Sequence, residues 1–486
     1  MMSTVTSTVT PLSLGEFHHF QTAGVDFLYL VPSGGVFAVS PAGRAAMELL
    51  REKPLDADDL LAALVAKGYA APDAQEAITD LFEARAIRDV RGFEDPPQDP
   101  VDNFPLQSLV MNLTNQCNLS CQYCYEFGED KVATPDGKPK FMSEEVAKAS
   151  VDHLIASSKG RRAVHITFFG GETLMNFPLL KWVVTYATEQ AQLAGQFIDF
   201  SLTTNGTLLS PEVIDFLVEN SIGVTVSMDG PKEMHDALRV YANGKGSYDV
   251  LAPKVKALIA KHSTRPIAAR VTLTQQVTSV KDIFHHLKHE MGFAEVGFAP
   301  VTAAPDRLYT IGNSNMDRVF DQFKELAVEY RDWAVENRMH GFSNVSDTLA
   351  EIHAGINKSH PCGAGLGLVG VGPSGDIAPC HRFVDSDTHA LGSVLDGGLD
   401  KAKQKEFLDR GHIGAKFDCH TCFARPLCAG GCHHEAFVRY GDTGHPNLHF
   451  CDWIRGWTDL CLNIYGEIAV KNPGFLDRFE QRKPLQ

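Results

Sequence analysis

Three cysteines lie close together in the run CNLSCQYCYE, at Cys117, Cys121 and Cys124. Thiolates are preferred ligands of iron–sulfur clusters, and a four-iron cluster is ordinarily held by four of them. Three thiolates at this spacing therefore predict a 4Fe–4S cluster bound through three irons, with the fourth iron open to a further ligand. The alternatives are a zinc knuckle and three unrelated buried thiols.

The segment that must position this loop alternates strand and helix six times over residues 106–302, within a domain that we place at 106–310. Such alternation predicts a parallel sheet with helices outside it, an α/β fold that is here a partial (β/α)6 barrel. Ligands in such folds bind at the carboxyl ends of the strands, and the cysteine loop follows the first strand. The predicted strands are SLVMNLT, AVHITFFG, FIDFSLTTNG, GVTVSMDG, IAARVTLT and EVGFAPV.

Polar turns follow the second, third and fourth of these strands at the same predicted rim. The first turn is Gly170-Gly171-Glu172-Thr173, in which paired glycines let the backbone approach a ligand closely and the glutamate can accept a hydrogen bond from an ammonium group. The next two turns contain Thr203 and Asn205, then Ser227 and Asp229. These side chains either contact a ligand or only cap their turns.

The Cx3Cx2C spacing, with Tyr123 between the last two cysteines, resembles the signature of the radical S-adenosylmethionine (SAM) superfamily. In that family the open iron binds the amino and carboxylate groups of SAM, which is cleaved to a 5′-deoxyadenosyl radical that removes hydrogen from the substrate. The GGET loop resembles the family's GGEP loop, which holds the SAM amino group, and Arg239 resembles the residue that meets the SAM carboxylate. The SAM contacts that the resemblance implies are Tyr123, Gly170, Gly171, Glu172, Thr203, Asn205, Ser227, Asp229, Arg239 and Phe298.

Eight further cysteines lie in the last third of the chain, and seven of them resemble the SPASM pattern of enzymes that modify ribosomal peptides and proteins. The competing interpretation of the run Cx2Cx5Cx3C is a zinc ribbon. The resemblance implies an auxiliary domain over 361–486 and two auxiliary 4Fe–4S clusters, three clusters in all. It assigns four ligands to one auxiliary cluster and three to the other, namely Cys419, Cys422, Cys428 and Cys451, then Cys362, Cys380 and Cys432.

The fourth ligand of the second auxiliary cluster separates two chemistries. Sulfatase maturases, a related family, place another cysteine soon after the first, whereas Cys362 is followed by GAGLGLVGVGPSG. Either Cys461 completes the cluster or one iron is open to a substrate thiolate. The same family has an aspartate after the second SPASM cysteine as proton acceptor, and this chain has His381 there. Asp409 and Asp418 are the candidates for a catalytic base, or else solvated turn residues.

Residues 1–95 predict a small winged-helix-like module. The runs DFLYLVP and GVFAVSP predict a hairpin, and three helices follow, the first beginning at Ser40-Pro41. The module is either a packing appendage or resembles the peptide-recognition domain of radical peptide maturases, where a leader strand adds to a sheet edge. Residues 96–105 predict a linker and 311–360 a helical connector.

Composition excludes several classes of protein. A formal charge of −16 and the lack of any basic run argue against nucleic-acid binding. No window approaches eighteen apolar residues and no signal peptide is recognisable, so we expect no membrane span and a cytoplasmic location. Eleven cysteines, clustered by local spacing, indicate metal ligands in a reducing compartment rather than disulfides.

Taken as a whole, the chain most resembles the maturases of quinohemoprotein amine dehydrogenase. That family joins cysteine sulfur to methylene carbons of aspartate or glutamate in the small γ subunit of the dehydrogenase. The resemblance implies a cysteine-bearing polypeptide substrate and an electron donor such as flavodoxin or ferredoxin. Formylglycine formation, carbon–carbon cross-linking and peptide epimerisation are the alternatives within the enzyme class. A non-catalytic iron–sulfur or zinc scaffold is the alternative outside it.

Overall fold

A computed structural model describes residues 10–90, 104–134 and 136–480. The linker predicted over 96–105 therefore lies outside the described residues, except for its last two. The strands are β1 Leu12–Leu14, β2 Phe17–Thr22, β3 Val25–Leu30, β4 Val36–Val39, β5 Ile87–Asp89, β6 Ser108–Asn112, β7 Ala163–Phe169, β8 Phe197–Thr204, β9 Gly223–Ser227, β10 Ala268–Leu273, β11 Glu295–Pro300, β12 Leu368–Val371, β13 Asp376–Ala378, β14 Gly392–Ser393 and β15 Gly398–Leu399.

Sixteen α-helices alternate with these strands in the described residues. They are α1 Pro41–Glu52, α2 Ala57–Ala66, α3 Ala71–Glu83, α4 Glu144–Ser157, α5 Phe177–Leu193, α6 Pro211–Glu219, α7 Lys232–Leu238, α8 Tyr248–Lys261, α9 Val280–His285, α10 Asn313–Val335, α11 Ser343–His353, α12 Lys401–Gly411, α13 Arg425–Cys428, α14 His433–Tyr440, α15 Cys451–Lys471 and α16 Asp477–Glu480. A π-helical turn, His286–Met291, continues α9.

The predicted partial barrel is confirmed. Strands β6 to β11 lie side by side in chain order and pair in parallel throughout. Along β10, Ala269, Val271 and Leu273 are buried in the main core, so the alternate residues face the inside of the barrel. Because all six strands run the same way, the loops after them meet at one rim.

The auxiliary region continues the sheet of the barrel. Strand β12 pairs in parallel with β6, and β13, β14 and β15 follow in antiparallel order, which gives one ten-stranded sheet. Cys380 comes directly after the β12–β13 hairpin and its following proline. The continuous sheet thereby fixes this cysteine relative to the loop after β6.

The N-terminal residues form two small sheets and three helices. Strands β2, β3 and β4 make an antiparallel sheet that contains the expected hairpin, and β1 pairs with β5. Strands β1, β2 and β5 were not predicted, because β1 and β5 have only three residues each and β2 carries two histidines. Helix α1 begins as predicted, since the Ser40 hydroxyl accepts a hydrogen bond from Gly43 N at 3.1 Å.

One face of the β2–β3–β4 sheet packs on the C-terminal helix α15. Phe20 and Phe27 belong to the main core, and a Cβ at Gly466 would lie 3.2 Å from each of their rings. At the edge of this contact the His18 ring stacks on Phe423 at 3.9 Å and bonds to a carboxylate of α15. The N-terminal module is thus joined to the auxiliary region by a close-packed interface.

Replacing Gly466 by leucine should loosen that interface. The new side chain would overlap the rings of Phe20 and Phe27, and overpacking of this kind costs about 1–3 kcal/mol. We expect a lower melting temperature in anaerobic calorimetry. Val470→Leu, at an exposed position of the same helix, is the matched control and should change stability by less than about 0.5 kcal/mol. Equal melting temperatures for both variants would contradict the interface.

Candidate functional site

The loop after β6 brings Cys117, Cys121 and Cys124 together at the rim of the barrel. Burial raises the pKa of Cys117 and of Cys124 to about 12, and the nearby Cys121 raises the pKa of both further. Two N–H groups point at the Cys117 sulfur, Leu119 N at 3.4 Å and Asn205 Nδ2 at 3.8 Å. Buried thiols that already receive N–H donors suit binding as thiolates to an iron–sulfur cluster.

These cysteines line a cleft of about 1000 Å³. Its far wall is the loop after β11, which is tied to the cysteine loop through Asp130. Arg307 Nε donates to Asp130 Oδ1 at 2.8 Å, and the Tyr309 hydroxyl donates to Asp130 Oδ2 at 3.0 Å. The cleft is therefore large enough for a ligand of SAM size and is bounded by two tethered loops.

The paired glycines of the GGET loop allow two stretches of backbone to touch. Gly170 has φ +118°, and a Cβ there would lie 2.3 Å from Thr114 O. A Cβ at Gly171 would lie 2.3 Å from Gln116 O, in the residue before the first cysteine. The glycines are thus required for packing against the segment that leads into the cysteine loop.

Glu172 joins the ends of β7 and β8 from within. Its side chain is 1 % exposed and accepts hydrogen bonds from Thr204 Oγ1 at 2.6 Å, Asn205 N at 2.7 Å and Leu174 N at 3.1 Å. Burial raises its pKa, and these three donors act in the opposite direction. Since a carboxylate has about four acceptor positions, one remains for an ammonium group.

Asp229 and Arg239 form a buried ion pair rather than two separate ligand contacts. Asp229 accepts from Arg239 Nε at 2.7 Å, Arg239 Nη2 at 3.2 Å, the Tyr123 hydroxyl at 2.5 Å and Thr272 N at 2.9 Å. Burial alone would raise the pKa of Asp229, but the guanidinium holds it below its usual value. The remaining N–H groups of Arg239, near Cys121, are those available to a ligand.

The other predicted SAM contacts divide into two groups. Asn205 lies beside the cysteine loop, because its amide donates to Asn118 Oδ1 at 2.9 Å. Thr203 and Ser227 end β8 and β9 on the inner face, partly buried. Phe298, by contrast, is not brought to the site: it is buried on the outer face of β11 among the rings of α10 and α11. Phe298 was expected at the rim from its place near the end of a strand. Successive side chains of a strand point to opposite faces, and that of Phe298 points towards the helices.

The auxiliary cysteines can be compared with the two groups that the resemblance implies. Burial raises the pKa values of five of them, Cys362, Cys380, Cys419, Cys428 and Cys451, to about 12 for Cys380, and mutual electrostatic effects connect the members within each group. The groups are Cys362, Cys380 and Cys432, then Cys419, Cys422, Cys428 and Cys451. This donor set fits two auxiliary clusters, one with three protein thiolates and one with four.

Cys461 belongs to neither group. It is fully buried in the middle of α15, within the main core, and its side chain pairs with Thr348 of α11. Among the described residues, no cysteine acts on the pKa of Cys461. The structure therefore leaves the group of Cys362, Cys380 and Cys432 with three thiols.

Lys416 lies between the two auxiliary groups, and sequence reasoning missed it. It is 2 % exposed, and its Nζ donates to Ala429 O at 3.0 Å. Its charge acts on cysteines of both groups, while burial lowers its own pKa. Gly430, with φ +86°, makes the room, since a Cβ there would lie 2.4 Å from Lys416 Cδ. A cation among several thiolates reduces their mutual repulsion.

A cluster of rings fills the space between the barrel rim and the three-thiol group. The His381 ring lies 4.5 Å from Phe169, at the end of β7, and 6.1 Å from Tyr125, next to Cys124. Burial and the charge of Arg382 lower the pKa of His381 to about 3, so its imidazole is neutral. His381 therefore spans the distance from Cys380 to the SAM-type loops.

The two aspartates predicted as bases lie on the solvent side. Asp409 is exposed on α12 and pairs with Lys405 one turn away, at 3.0 Å. Asp418 is exposed beside Cys419. Their proximity in sequence to auxiliary cysteines suggested a role, but neither carboxylate lines the cleft at the rim. A further acid in the cysteine loop is Glu126, which is partly buried and whose pKa is raised to about 8 by burial and by Asp385.

Mononuclear metal sites and membrane-spanning helices are both absent from the described residues. No group of three or more His, Cys, Asp or Glu side chains converges closely enough to hold a single metal ion. Thiolates of a four-iron cluster bind separate irons, so this finding concerns mononuclear sites only. None of the helices in the described ranges is both long and apolar enough to cross a membrane.

Comparison with known proteins identifies the barrel. Residues 111–273 match the family model described as the Radical SAM superfamily. A solved structure of anSMEcpe with bound AdoMet superposes with a TM-score of 0.61 at 20 % identity, covering 78 % of this chain and all of the other. Residues 111–273 of the barrel therefore match the Radical SAM superfamily, and that family implies a 4Fe–4S cluster and SAM as cofactors.

Three relatives extend the similarity to most of the chain. A serine-type anaerobic sulfatase-maturating enzyme of Bacteroides thetaiotaomicron is 27 % identical over 71 % of this chain and 86 % of its own length. The mycofactocin maturase MftC of Mycolicibacterium smegmatis is 27 % identical over 75 % of this chain and 84 % of its own. Streptococcus suis SuiB bound to precursor peptide SuiA shares the fold, with a TM-score of 0.50 at 13 % identity, over 90 % of this chain and 99 % of the other.

Replacing Glu172 by glutamine should weaken SAM binding. The carboxylate accepts hydrogen bonds from three donors, and the glutamine amide would instead turn an N–H group towards at least one of them. That donor would lose its hydrogen bond, and a buried donor without a partner costs about 1–3 kcal/mol. We expect a dissociation constant for SAM raised about 10-fold or more in anaerobic calorimetric titration. Thr204→Val removes one of the three donors and should have a smaller effect.

Glu212→Gln is the matched control, since Glu212 is an exposed residue of α6 paired with Lys181. Its SAM affinity should equal that of the unchanged protein. Unaltered SAM affinity in Glu172→Gln would show that the loops after β7 and β8 hold their positions without this carboxylate.

Proposed function

We propose that this protein is a radical SAM peptide maturase that forms thioether bonds between cysteine sulfur and methylene carbons of aspartate or glutamate in a small protein subunit. The observation that carries the proposal is the three-thiol group of Cys362, Cys380 and Cys432, from which Cys461 is removed by burial in α15. A cluster held by three thiolates has one iron for a substrate sulfur. The similarity to peptide maturases supports a polypeptide substrate.

The cysteines after β6 would hold the cluster that binds SAM, and the two later groups would hold the auxiliary clusters. Together, when bound, these groups would supply a 5′-deoxyadenosyl radical that takes one hydrogen from the substrate and an acceptor for the electron released when carbon bonds to sulfur. A reduced flavodoxin or ferredoxin would return electrons. The thiol proton leaves to solvent, because Cys362 is exposed and the three-thiol group is open on that side.

The chain's own residues orient the two reacting parts. Glu172 and the Asp229–Arg239 pair fix the loops that receive SAM, each through buried hydrogen bonds. Neutral His381 and Tyr125 fill the space between the barrel rim and Cys380, and thereby exclude water from the path of a carbon radical. In this arrangement the substrate would enter beside these rings, on the side of the three-thiol group where Cys362 is exposed.

Formylglycine formation is the second candidate, because a sulfatase-maturating enzyme and anSMEcpe are among the similar proteins. Two features of this chain weigh against it. His381 occupies the position where that family has an aspartate, and its pKa of about 3 makes it a poor proton acceptor. Cys362 also lacks the nearby cysteine that would complete its cluster.

Mass spectrometry of a candidate substrate tests the proposal. The reconstituted protein is incubated anaerobically with SAM, a reductant and a cysteine-bearing polypeptide encoded by a neighbouring gene. We expect a loss of two hydrogens per bond, cysteines that resist alkylation, and fragments that join them to acidic residues. Conversion of serine to formylglycine also removes two hydrogens, but its aldehyde reacts with a hydrazine reagent and its cysteines remain alkylatable.

Cysteine variants separate the two halves of the machinery. Cys117→Ala should abolish SAM cleavage, whereas Cys380→Ala should keep uncoupled cleavage and lose the cross-linked product. Cys461→Ala is the control, which should retain product formation because Cys461 lies outside the group. Iron content is measured for each variant, since clusters also stabilise the fold. An aldehyde product would favour formylglycine formation. Equal loss of SAM cleavage in Cys117→Ala and Cys380→Ala would refute the assignment of separate roles to the two cysteine groups.

The N-terminal module offers a site for the substrate's leader segment, as a part of the same proposal. Strand β4 pairs only with β3 among the described strands, so its other edge is available to an added strand. A largely apolar cavity of about 350 Å³ lies between β4, α1 and α3, and Phe37 lines it with 47 % of its surface exposed. An extended peptide paired with β4 would place alternate side chains into this cavity.

Phe37→Asp should weaken leader binding. A charge in the cavity opposes burial of apolar leader side chains, and we expect the dissociation constant of a labelled substrate peptide to rise about 10-fold or more in fluorescence anisotropy. Val65→Asp is the matched control, because Val65 on α2 is 45 % exposed and lies outside the cavity. If both variants bind the peptide equally, the leader docks elsewhere.

A further inference from the structure

Arg270 faces the inside of the barrel. Its neighbours in β10, Ala269 and Val271, are buried on the helix side, whereas Arg270 is exposed on the alternate face. In register it lies between Ser227 of β9 and Gly297 of β11. A Cβ at Gly297 would lie 3.3 Å from Arg270 Nη1, so the glycine provides space beside the guanidinium.

Arg382 approaches the same interior from the auxiliary region. It follows Cys380 by two residues, and its Nη1 donates to Thr302 Oγ1, just after β11, at 2.7 Å. Its guanidinium also lies 4.9 Å from the centre of the Tyr125 ring. These contacts hold Arg382 between the three-thiol group and the cysteine loop, and they use one of its five N–H donors.

Neither arginine forms a salt bridge with a carboxylate of the described residues. The packed surroundings of its guanidinium inside the open barrel, which reduce its hydration, and then the charge of Arg382 lower the pKa of Arg270, and the acid that opposes them is Asp347 on α11. Two nearby carboxylates are engaged elsewhere: Asp229 is bound to Arg239, and Glu126 accepts a hydrogen bond from Asn112 Nδ2 at 3.4 Å. Two positively charged guanidinium groups that lie near each other inside a protein repel one another, and this repulsion destabilises the fold unless an anion is bound there.

A carboxylate is the anion that fits. Guanidinium groups bind carboxylates through paired N–H donors, with defined orientation, and do so most strongly where water is excluded. The other inward residues beside Arg270 are neutral, as Ser227 and Thr272 illustrate. A bound carboxylate would therefore meet two cations and hydroxyl groups, with no competing negative charge from those positions.

We propose that Arg270 and Arg382 form a subsite that binds the carboxylate of the acidic side chain to be modified. The proposal rests on the proposed function and deepens it, because it assigns the recognition of the acidic residue to named positions. Binding through the carboxylate would place the carbons of that side chain between the cysteine loop after β6 and the three-thiol group. The enzyme would then select an acidic residue of the substrate through the charge of these two arginines and not through binding of the leader segment.

The test compares two substrate peptides on several variants of the full-length, reconstituted protein. One peptide carries glutamate at the acceptor position and the other carries glutamine. The measured quantity is the ratio of their affinities in anaerobic anisotropy, together with the ratio of their cross-linking rates where product forms. For the unchanged protein we expect glutamate to be favoured about 10- to 100-fold.

In Arg270→Gln and Arg382→Gln this ratio should fall towards one, because the charge that discriminates the peptides is gone. Arg270→Lys keeps the charge without the paired donors and should give an intermediate ratio. Arg338→Gln, at an exposed arginine of the surface, is the control and should keep the full ratio. A variant that merely loses stability would weaken both peptides equally and leave the ratio unchanged.

An unchanged ratio in both glutamine variants would overturn the subsite, even if thioether product forms. A collapsed ratio in the binding measurement would support the subsite even if no thioether bond is found. The failure of the proposed function would instead show as an absence of cross-linked product from every peptide while SAM is cleaved.

Discussion

The site depends on the contact between the GGET loop and the residues that lead into the first cysteine. Gly170 and Gly171 lie so close to Thr114 and Gln116 that a single methyl group on either would overlap a carbonyl oxygen. Glu172 then accepts donors from the next loop along the rim. Three successive strand ends are thereby linked, the first two through backbone atoms and the third through the Glu172 carboxylate. The contact between the GGET loop and Thr114 and Gln116 therefore fixes where the three thiols of the cysteine loop lie.

Charge in the interior is arranged in two ways. Asp229 and Arg239 satisfy one another and two further groups, so removing either partner would leave an uncompensated buried charge. Lys416 and the pair of Arg270 and Arg382 instead lack carboxylate partners among the described residues and lie near thiols or open space. The first arrangement is structural. The second is typical of places where a negatively charged group is still to be bound.

Sequence patterns predicted the parts of this molecule that depend on local order. The six barrel strands follow from alternation, which short windows contain, whereas the grouping of the cysteines follows from the family resemblance and stays a prediction. Phe298 lies on the outer face of the barrel and Asp409 on the solvent side, and position along the chain does not tell which face a side chain takes. Lys416, Arg270 and Arg382 could not be found in this way. Their significance arises from contacts between segments far apart in the sequence, and no spacing rule describes those.

Helix α15 connects the module proposed to bind the leader with the auxiliary cysteines. Cys451 opens the helix, Cys461 anchors its middle in the core, and Gly466 supports the N-terminal sheet. Fifteen residues separate Cys451 from Gly466, which corresponds to about 22 Å along a helix. An extended chain needs about seven residues to cover that distance. Helix α15 thus holds the N-terminal sheet at a fixed separation from the auxiliary cysteine at its own start, so a leader bound on that sheet, as proposed, requires a spacer before the modified residues.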